Sequence, residues 1–276
     1  MTTDESKCPN DDCKQDSGET PQKAKSSVSR WVWIVTAVVL LGVLLLVLYG
    51  CLSGKTQTEQ DAPTELPLPT ATNTSKYVAV NLNVGDEFYF GKFEQDNDLT
   101  NGEEAITWQV LKVEDGRVLA ISKYGLDMQL FNDTYEPVTW ESCSLRKWLN
   151  GEFYENAFSD SEKAVIMEVT LSNPSNLQYG TDGGNDTTDK VFLLTHSEAA
   201  AYFSDGTARR CYPTEYALGK NVWRSDTGGS WWWLRTPGLD ANHFAFVGGS
   251  GYITSEGWGV NYPDGVVRPA VWIKTK

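Results

Sequence analysis

Hydrophobic and polar positions change rhythm twice along this chain. Residues 31–52, W-V-W-I-V-T-A-V-V-L-L-G-V-L-L-L-V-L-Y-G-C-L, carry no charge and show no polar face. A run of that length spans a bilayer core of about 30 Å as a helix. Trp31, Trp33 and Tyr49 lie near its ends, where aromatic rings favour the interface. Residues 53–76 are rich in Thr and Pro and poor in large apolar groups, which predicts a stalk without a core. Residues 1–30 are similarly polar and predict a disordered tail. From about Tyr77 the pattern shortens into the alternations of a folded domain, 77–276.

Within that domain the strand signals come first. E-F-Y-F-G-K-F (87–93) is short and aromatic, and I-T-W-Q-V-L-K-V (106–113) alternates. Asp115-Gly116 then separates it from R-V-L-A-I-S (117–122), a strong hairpin signal. Helix signals follow. S-L-R-K-W-L-N-G (144–151) puts Leu145, Trp148 and Leu149 on one face and predicts a stop at Gly151. Ser159 with Glu162, and Thr195 with Glu198, read as capping boxes. The second box gives His196 a place on the first turn of a helix rather than the role of a base. V-F-L-L (191–194) reads as a buried strand. H-F-A-F-V (243–247), G-G-S-G and Y-I-T-S (252–255) form a second hairpin candidate, and G-V-V-R-P-A-V-W-I (265–273) a closing strand. Short strands mixed with short helices, without βα repetition, predict an α+β domain.

Charge then fixes placement. Lys23, Lys25 and Arg30 precede the apolar run and only Lys55 closely follows it. The positive-inside rule therefore puts residues 1–30 in the cytoplasm and the large C-terminal part outside, on a single-pass anchor. L-Y-G-C (48–51) also resembles a bacterial lipoprotein lipobox, which would place a lipid on Cys51 and remove residues 1–50. The length of the apolar run favours the uncleaved anchor. A net charge of −14 over the whole chain argues against nucleic acid as a partner and against docking on anionic lipid.

Five cysteines and two histidines restrict the chemistry. C-P-N-D-D-C (8–13) is half of a zinc spacing, or a tail with two thiols. Cys143 and Cys211 are the only two in the outer domain, and an oxidising compartment would allow them to pair. G-x-S-x-G, H-E-x-x-H and P-loop patterns are absent from the sequence. Paired carboxylates of a hydrolase stay open, because acidic residues are abundant.

Four separated motifs carry a resemblance: W-x-x-C-S-L-R-K-W-L-N-G-E-F-Y (140–154), G-G-N-D-T-T-D-K-V-F-L-L (183–194), W-W-L-R-T-P-G (232–238) and G-V-V-R-P-A-V-W-I (265–273). Together they look like a bacterial domain family of unknown function. The ending also resembles, more weakly, the C-type-lectin-like fold, which formylglycine-generating enzymes and variable phage or bacterial surface receptors share. The resemblance implies a compact α+β domain with a long irregular region before its last strands, and it does not supply an activity.

Two candidate sites follow. In a strand Trp231 and Trp233 point one way, and Trp232 and Leu234 the other, so at least one face is core. The other face, Trp231 and Trp233, is either a ligand surface or core as well. With Asp240, Asn242, His243, Trp258 and Tyr262, in the segment that carries binding in lectin-like folds, these two tryptophans form the candidate ligand site. Flat apolar rings with a few oriented polar groups suit a glycan or peptide of the envelope. Asn261 and Asp264 fall in the same segment. The second candidate is T-D-G-G-N-D-T-T-D (181–189), whose Asp182, Asn185, Asp186 and Asp189 are either Ca2+ ligands or an Asx-turn loop. Arg235 and Arg268 read as structural arginines tying the final strands to loops. Extracytoplasmic binding or sensing is the leading expectation. An envelope-acting hydrolase or oxidase, and a structural surface module, are the alternatives.

Overall fold

A computed structural model of the protein describes residues 82–275. The expected tail, apolar run and stalk, with Cys8, Cys13 and Cys51, lie outside the described residues. Among the described residues no helix is long and apolar enough to cross a membrane.

Three opening strands build the first sheet: β1 (Glu87–Phe93), β2 (Glu104–Glu114) and β3 (Arg117–Ser122). Asp115-Gly116 closes the β2–β3 hairpin, with Glu114 opposite Arg117. The last five residues of β3 are all buried, so both of its faces are covered. The chain crosses to a second sheet through β4 (Asp127–Met128) and then turns helical at α1 (Ser144–Trp148).

That helix does not stop at Gly151. It continues through a π turn, Leu149–Phe153, into α2 (Tyr154–Ala157). Leu145, Leu149, Phe153, Tyr154 and Ala157 are all buried, so the apolar face runs straight past the glycine. A glycine inside a helix costs about 1 kcal/mol against alanine. Burying Phe153 outweighs it, since full burial of such a side chain is worth about 1.5–3 kcal/mol.

Both capping boxes form. Ser159 opens α3 (Asp160–Lys163), and its backbone N–H donates to the Glu162 carboxylate at 2.8 Å. Thr195 opens α4 (His196–Tyr202); its N–H donates to Glu198 at 2.7 Å, and its hydroxyl accepts the Glu198 N–H. Between these helices lie a two-stranded sheet of β5 (Val169–Leu171) and β6 (Thr187–Asp189), and then β7 (Val191–Phe192). Two further short helices follow, α5 (Gly206–Arg209) and α6 (Glu215–Gly219).

The C-terminal strands are β8 (Trp232–Pro237), β9 (His243–Val247) and β10 (Ile253–Gly259), and β9 and β10 form the expected second hairpin. The expected single closing strand is in fact two. β11 (Val266–Val267) lies in the second sheet, parallel to β8, whereas β12 (Ala270–Lys274) lies in the first, between β3 and β7. Arg268-Pro269 is the switch. Proline offers no N–H to a ladder and fixes its own φ. The Arg268 guanidinium donates to the Ser122 carbonyl at 2.9 Å and anchors the crossing. The sheet orders are β1-β2-β3-β12-β7 and β10-β9-β8-β11-β4.

Every residue of β8 is buried, and so is Trp231 just before it, which puts the whole Trp triplet inside the domain. Trp232 packs under Arg268 and beside Phe203, and its indole N–H donates to the Arg209 carbonyl. Trp233 lies on the other face against Phe131, and its N–H donates to the Gln129 carbonyl. An indole buries about 150–250 Å², worth about 4–6 kcal/mol at roughly 25 cal/mol per Å² before entropy. Two such rings on opposite faces make β8 the centre of the fold.

Candidate functional site

The β9–β10 hairpin and the loop after it carry an exposed aromatic cluster. Trp258 of β10 stacks on Phe246 of β9 at 5.5 Å and 12°, and on Tyr262 at 4.8 Å and 14°. Trp258 is 40% exposed and Tyr262 41%, so two neighbouring, nearly parallel rings open to solvent. Tyr262 is held in the stack by a turn in which its N–H donates to the Gly259 carbonyl at 2.8 Å. Tyr252 closes the other end, edge-on to Phe246.

Below the stack sits Trp231, 5.3 Å from Phe246 and 6.2 Å from Tyr262. Its indole N–H donates to the Asp264 carboxylate at 2.8 Å. Burial pushes that carboxyl above its ordinary range despite the hydrogen bond. Trp231 is 4% exposed and Trp233 fully enclosed, so neither offers a face to a ligand. This corrects the expectation for both: the sheet is covered on its two sides.

The polar members gather at the end of the hairpin where β9 begins. Asp240 accepts the Asn242 N–H at 2.8 Å and contacts His243 Nδ1 at 2.7 Å. Those two bonds, His243 first, hold the Asp240 carboxyl below the usual range. His243 lies opposite Gly259, next to Trp258 along β10, and Tyr135 meets its ring edge-on. The Asn242 carbonyl accepts the Val260 N–H at 2.8 Å, which ties this knot to the loop carrying Tyr262. The structure therefore brings Asp240, Asn242, His243, Trp258 and Tyr262 to one end of the hairpin. Tyr135 joins them there unannounced, from more than a hundred residues away in sequence, and Phe246 and Tyr252 extend the aromatic surface toward the turn.

The 181–189 loop is not assembled as a cation site. Asp189 is buried and already committed: it accepts Arg146 Nε at 2.6 Å, Trp140 Nε1 at 2.9 Å and the Thr187 hydroxyl at 2.8 Å. Asp182 accepts the Gly184 N–H, an Asx turn, and Asn185 donates to Glu141. Asp186 is exposed. The expected ligand set is corrected because Arg146 already neutralises its one buried carboxylate.

A second concave feature lies elsewhere. A cleft of about 400 Å³ is lined by Phe93, Glu94, Glu103, Trp148, Tyr216 and Lys220, among others. Lys220 pairs with the buried Asp127 at 2.5 Å and lies over the Tyr216 ring. Glu94, on the cleft wall, also belongs to the cluster Glu94, Asp96 and Glu104, among the described residues the one group of three or more acidic, His or Cys side chains close enough to share an ion. The signal for it was E-Q-D-N-D-L-T-N-G-E-E (94–104), a run dense in oxygen donors that strand and helix patterns pass over.

Cys143 and Cys211 are both free and both buried, so the pairing open to them is not made. Burial pushes the Cys143 thiol up to about 12 and that of Cys211 to about 11. Neither supplies a thiolate nucleophile near neutrality. Arg235 donates to Glu198 at 2.7 Å and to the Leu193 carbonyl at 2.6 Å, a structural tie between β8 and α4.

No match was found among curated proteins, and none among solved structures. The family model described as a domain of unknown function, DUF6273, matches residues 115–275. The match takes in the aromatic stack and leaves β1, β2 and the 94–104 loop outside it. It covers more than half of the chain, and the protein belongs to the DUF6273 family.

Proposed function

We propose that this chain is a membrane-anchored bacterial surface protein whose outer domain binds a glycan of the cell envelope. In this reading residues 1–30 are cytoplasmic, 31–52 form the anchor, 53–76 are a stalk, and 77–276 are the extracytoplasmic domain. The observation that carries the binding function is the Phe246–Trp258–Tyr262 stack, in which Phe246 is buried while Trp258 and Tyr262 are about two-fifths exposed. A pyranose has an apolar face that matches such rings, and its hydroxyls need fixed polar partners at the edge. The Asp240–His243 pair, held by its own hydrogen bonds, is proposed to supply them from the strand position next to Trp258, where His243 lies opposite Gly259. A preorganised carboxylate loses little freedom on binding.

The domain is proposed to be C-type-lectin-like. The return of β12 to the sheet of the opening strands supports this, as does the position of the exposed stack in the loops before the last strands. The oxidase alternative is not favoured, because both cysteines of the domain are buried thiols.

The test is a tryptophan-fluorescence titration of the full chain in mild detergent. The probes are β-1,4-linked N-acetylhexosamine oligosaccharides and, separately, peptidoglycan stem peptides. The glycan is expected to shift the emission, and Trp258→Ala to weaken binding at least about tenfold, or about 1.4 kcal/mol. A response to stem peptide alone, or glycan affinity unchanged in Trp258→Ala, would sink the reading.

A further inference from the structure

We propose that Glu94, Asp96 and Glu104 form a calcium site at the rim of the acidic cleft, independent of the aromatic stack. One carboxylate oxygen from each of the three lies within 4.8 Å of the others. The pairing of β1 with β2 creates this geometry. Phe93 sits opposite Glu104, so Glu94, the next residue, meets Glu104 as the strands separate into the 94–103 loop.

The buried orphan is the second observation. Glu94 is 8% exposed, and its Oε1 is buried without a hydrogen-bond partner. A buried carboxylate oxygen in that state is costly unless something positive faces it. Among the described residues none of the three carboxylates makes an ion pair: the lysines, arginines and histidine that form ion pairs serve other partners. The neighbouring carboxylates are meanwhile held in place. Glu104 Oε2 accepts the N–H groups of Gln95 and Asp96, and Asp96 accepts the Asp98 N–H and the Asn101 amide. Two held carboxylates beside a third that has an unsatisfied oxygen define a cation position.

Donor chemistry selects the ion. All three groups are carboxylate oxygens, with no Cys or His nearby in the cluster, which suits a hard cation and not zinc or copper. The ligands come from an irregular loop and a strand end, a geometry that calcium accepts and magnesium, with its strict octahedron, does not. Loop carbonyls and water would complete the coordination.

The experiment is calorimetric titration of CaCl2 into the full chain, freed of metal by chelator and held in mild detergent, with melting followed in parallel. One site is expected, with Kd about 0.1–1 mM, the range of extracellular modules, and a melting temperature that rises with calcium. Glu94→Gln is expected to abolish the calcium heat and the shift. In chelator it is expected to melt above the parent chain, because the amide removes a repelled charge. That second readout separates loss of the site from loss of the fold. Asp186→Asn should leave binding intact. No heat up to about 10 mM calcium, tenfold above the weak end of that range, overturns the proposal. So does equal affinity for magnesium, undiminished binding by Glu94→Gln, or a lower melting temperature of that variant in chelator.

Discussion

Asp189→Ala should be among the most damaging single changes in the domain, and the structure supplies the size of the effect. The Asp189 side chain is 0% exposed and joins three elements: β6, which carries it, α1 through Arg146, and the core residue Trp140. Truncation orphans the Trp140 indole N–H, which costs about 1–3 kcal/mol for a buried donor. It also strips Arg146 of its counter-charge. Breaking a buried pair costs about 3–5 kcal/mol. Here the low end applies, because the Arg146 side chain is 23% exposed and its other nitrogens keep the carbonyls of Glu141 and Thr188. The two losses overlap, and a total of about 4 kcal/mol follows. At about 2–4 °C per kcal/mol for a domain of this size, melting falls by about 8–16 °C. Urea unfolding followed by tryptophan fluorescence measures it, and a double-mutant cycle with Arg146→Met isolates the pair, with an expected coupling of about 2 kcal/mol. The measurement also weighs the two roles open to this loop. A structural Asp189 costs the same in calcium and in chelator. A loss below about 1 kcal/mol, or one seen only with calcium present, would refute the reasoning and return Asp189 to the metal ligands.

Other expectations are quickly checked. Gly251 and Gly85 share a left-handed backbone, φ +89° and +94°, but an added Cβ would meet the Gly206 carbonyl oxygen at Gly251 and open space at Gly85. Thermal melts should therefore show Gly251→Ala costing more than about 2 kcal/mol and Gly85→Ala about 1–2 kcal/mol. Native alkylation at pH 7 followed by peptide mass analysis should leave Cys143 and Cys211 unmodified, and denaturant should expose both. Labelling of either in the folded chain would contradict thiols raised to about 12 and 11. Removing the Trp258 ring should lower stability by about 1–3 kcal/mol, the scale of the two aromatic pairs it makes, while it removes the proposed glycan response.

The parts of the fold legible in the sequence are those fixed by neighbours along the chain. Asp115-Gly116 fixed a hairpin because only a few residue pairs tolerate that turn, and the Thr195–Glu198 box fixed a helix start because both bonds lie within four residues. The misreadings share the opposite property. A stop at Gly151 is sound for an isolated helix, but Phe153 and Tyr154 find a core beyond it. A strand through Arg268-Pro269 is sound by pattern, but the two sheets divide it between them. The 94–104 cluster escaped notice because Glu94 and Glu104 are ten residues apart and meet only through the β1–β2 register. In the 181–189 loop the acidic spacing was visible, but the arginine that claims Asp189 comes from a helix more than forty residues earlier.

The tryptophan triplet shows how a buried motif can govern an exposed one. Trp232 and Trp233 anchor β8 from opposite faces, which leaves Trp231 at the strand's entry, with Trp233 at 4.6 Å behind it. Trp231 cannot shift inward against that ring, and Asp264 fixes its indole N–H. Its remaining surface supports Phe246 and Tyr262, the two rings on which Trp258 stacks. The exposed rings are therefore not free surface aromatics settling on one another. They rest on an indole whose position is set by the core of the domain. A ligand meeting Trp258 and Tyr262 would find rings already oriented, and the ordering cost that weakens flexible sites would have been met during folding. The triplet is then not merely the inside of a sheet; it is the support that holds the exposed Trp258 and Tyr262 rings in place.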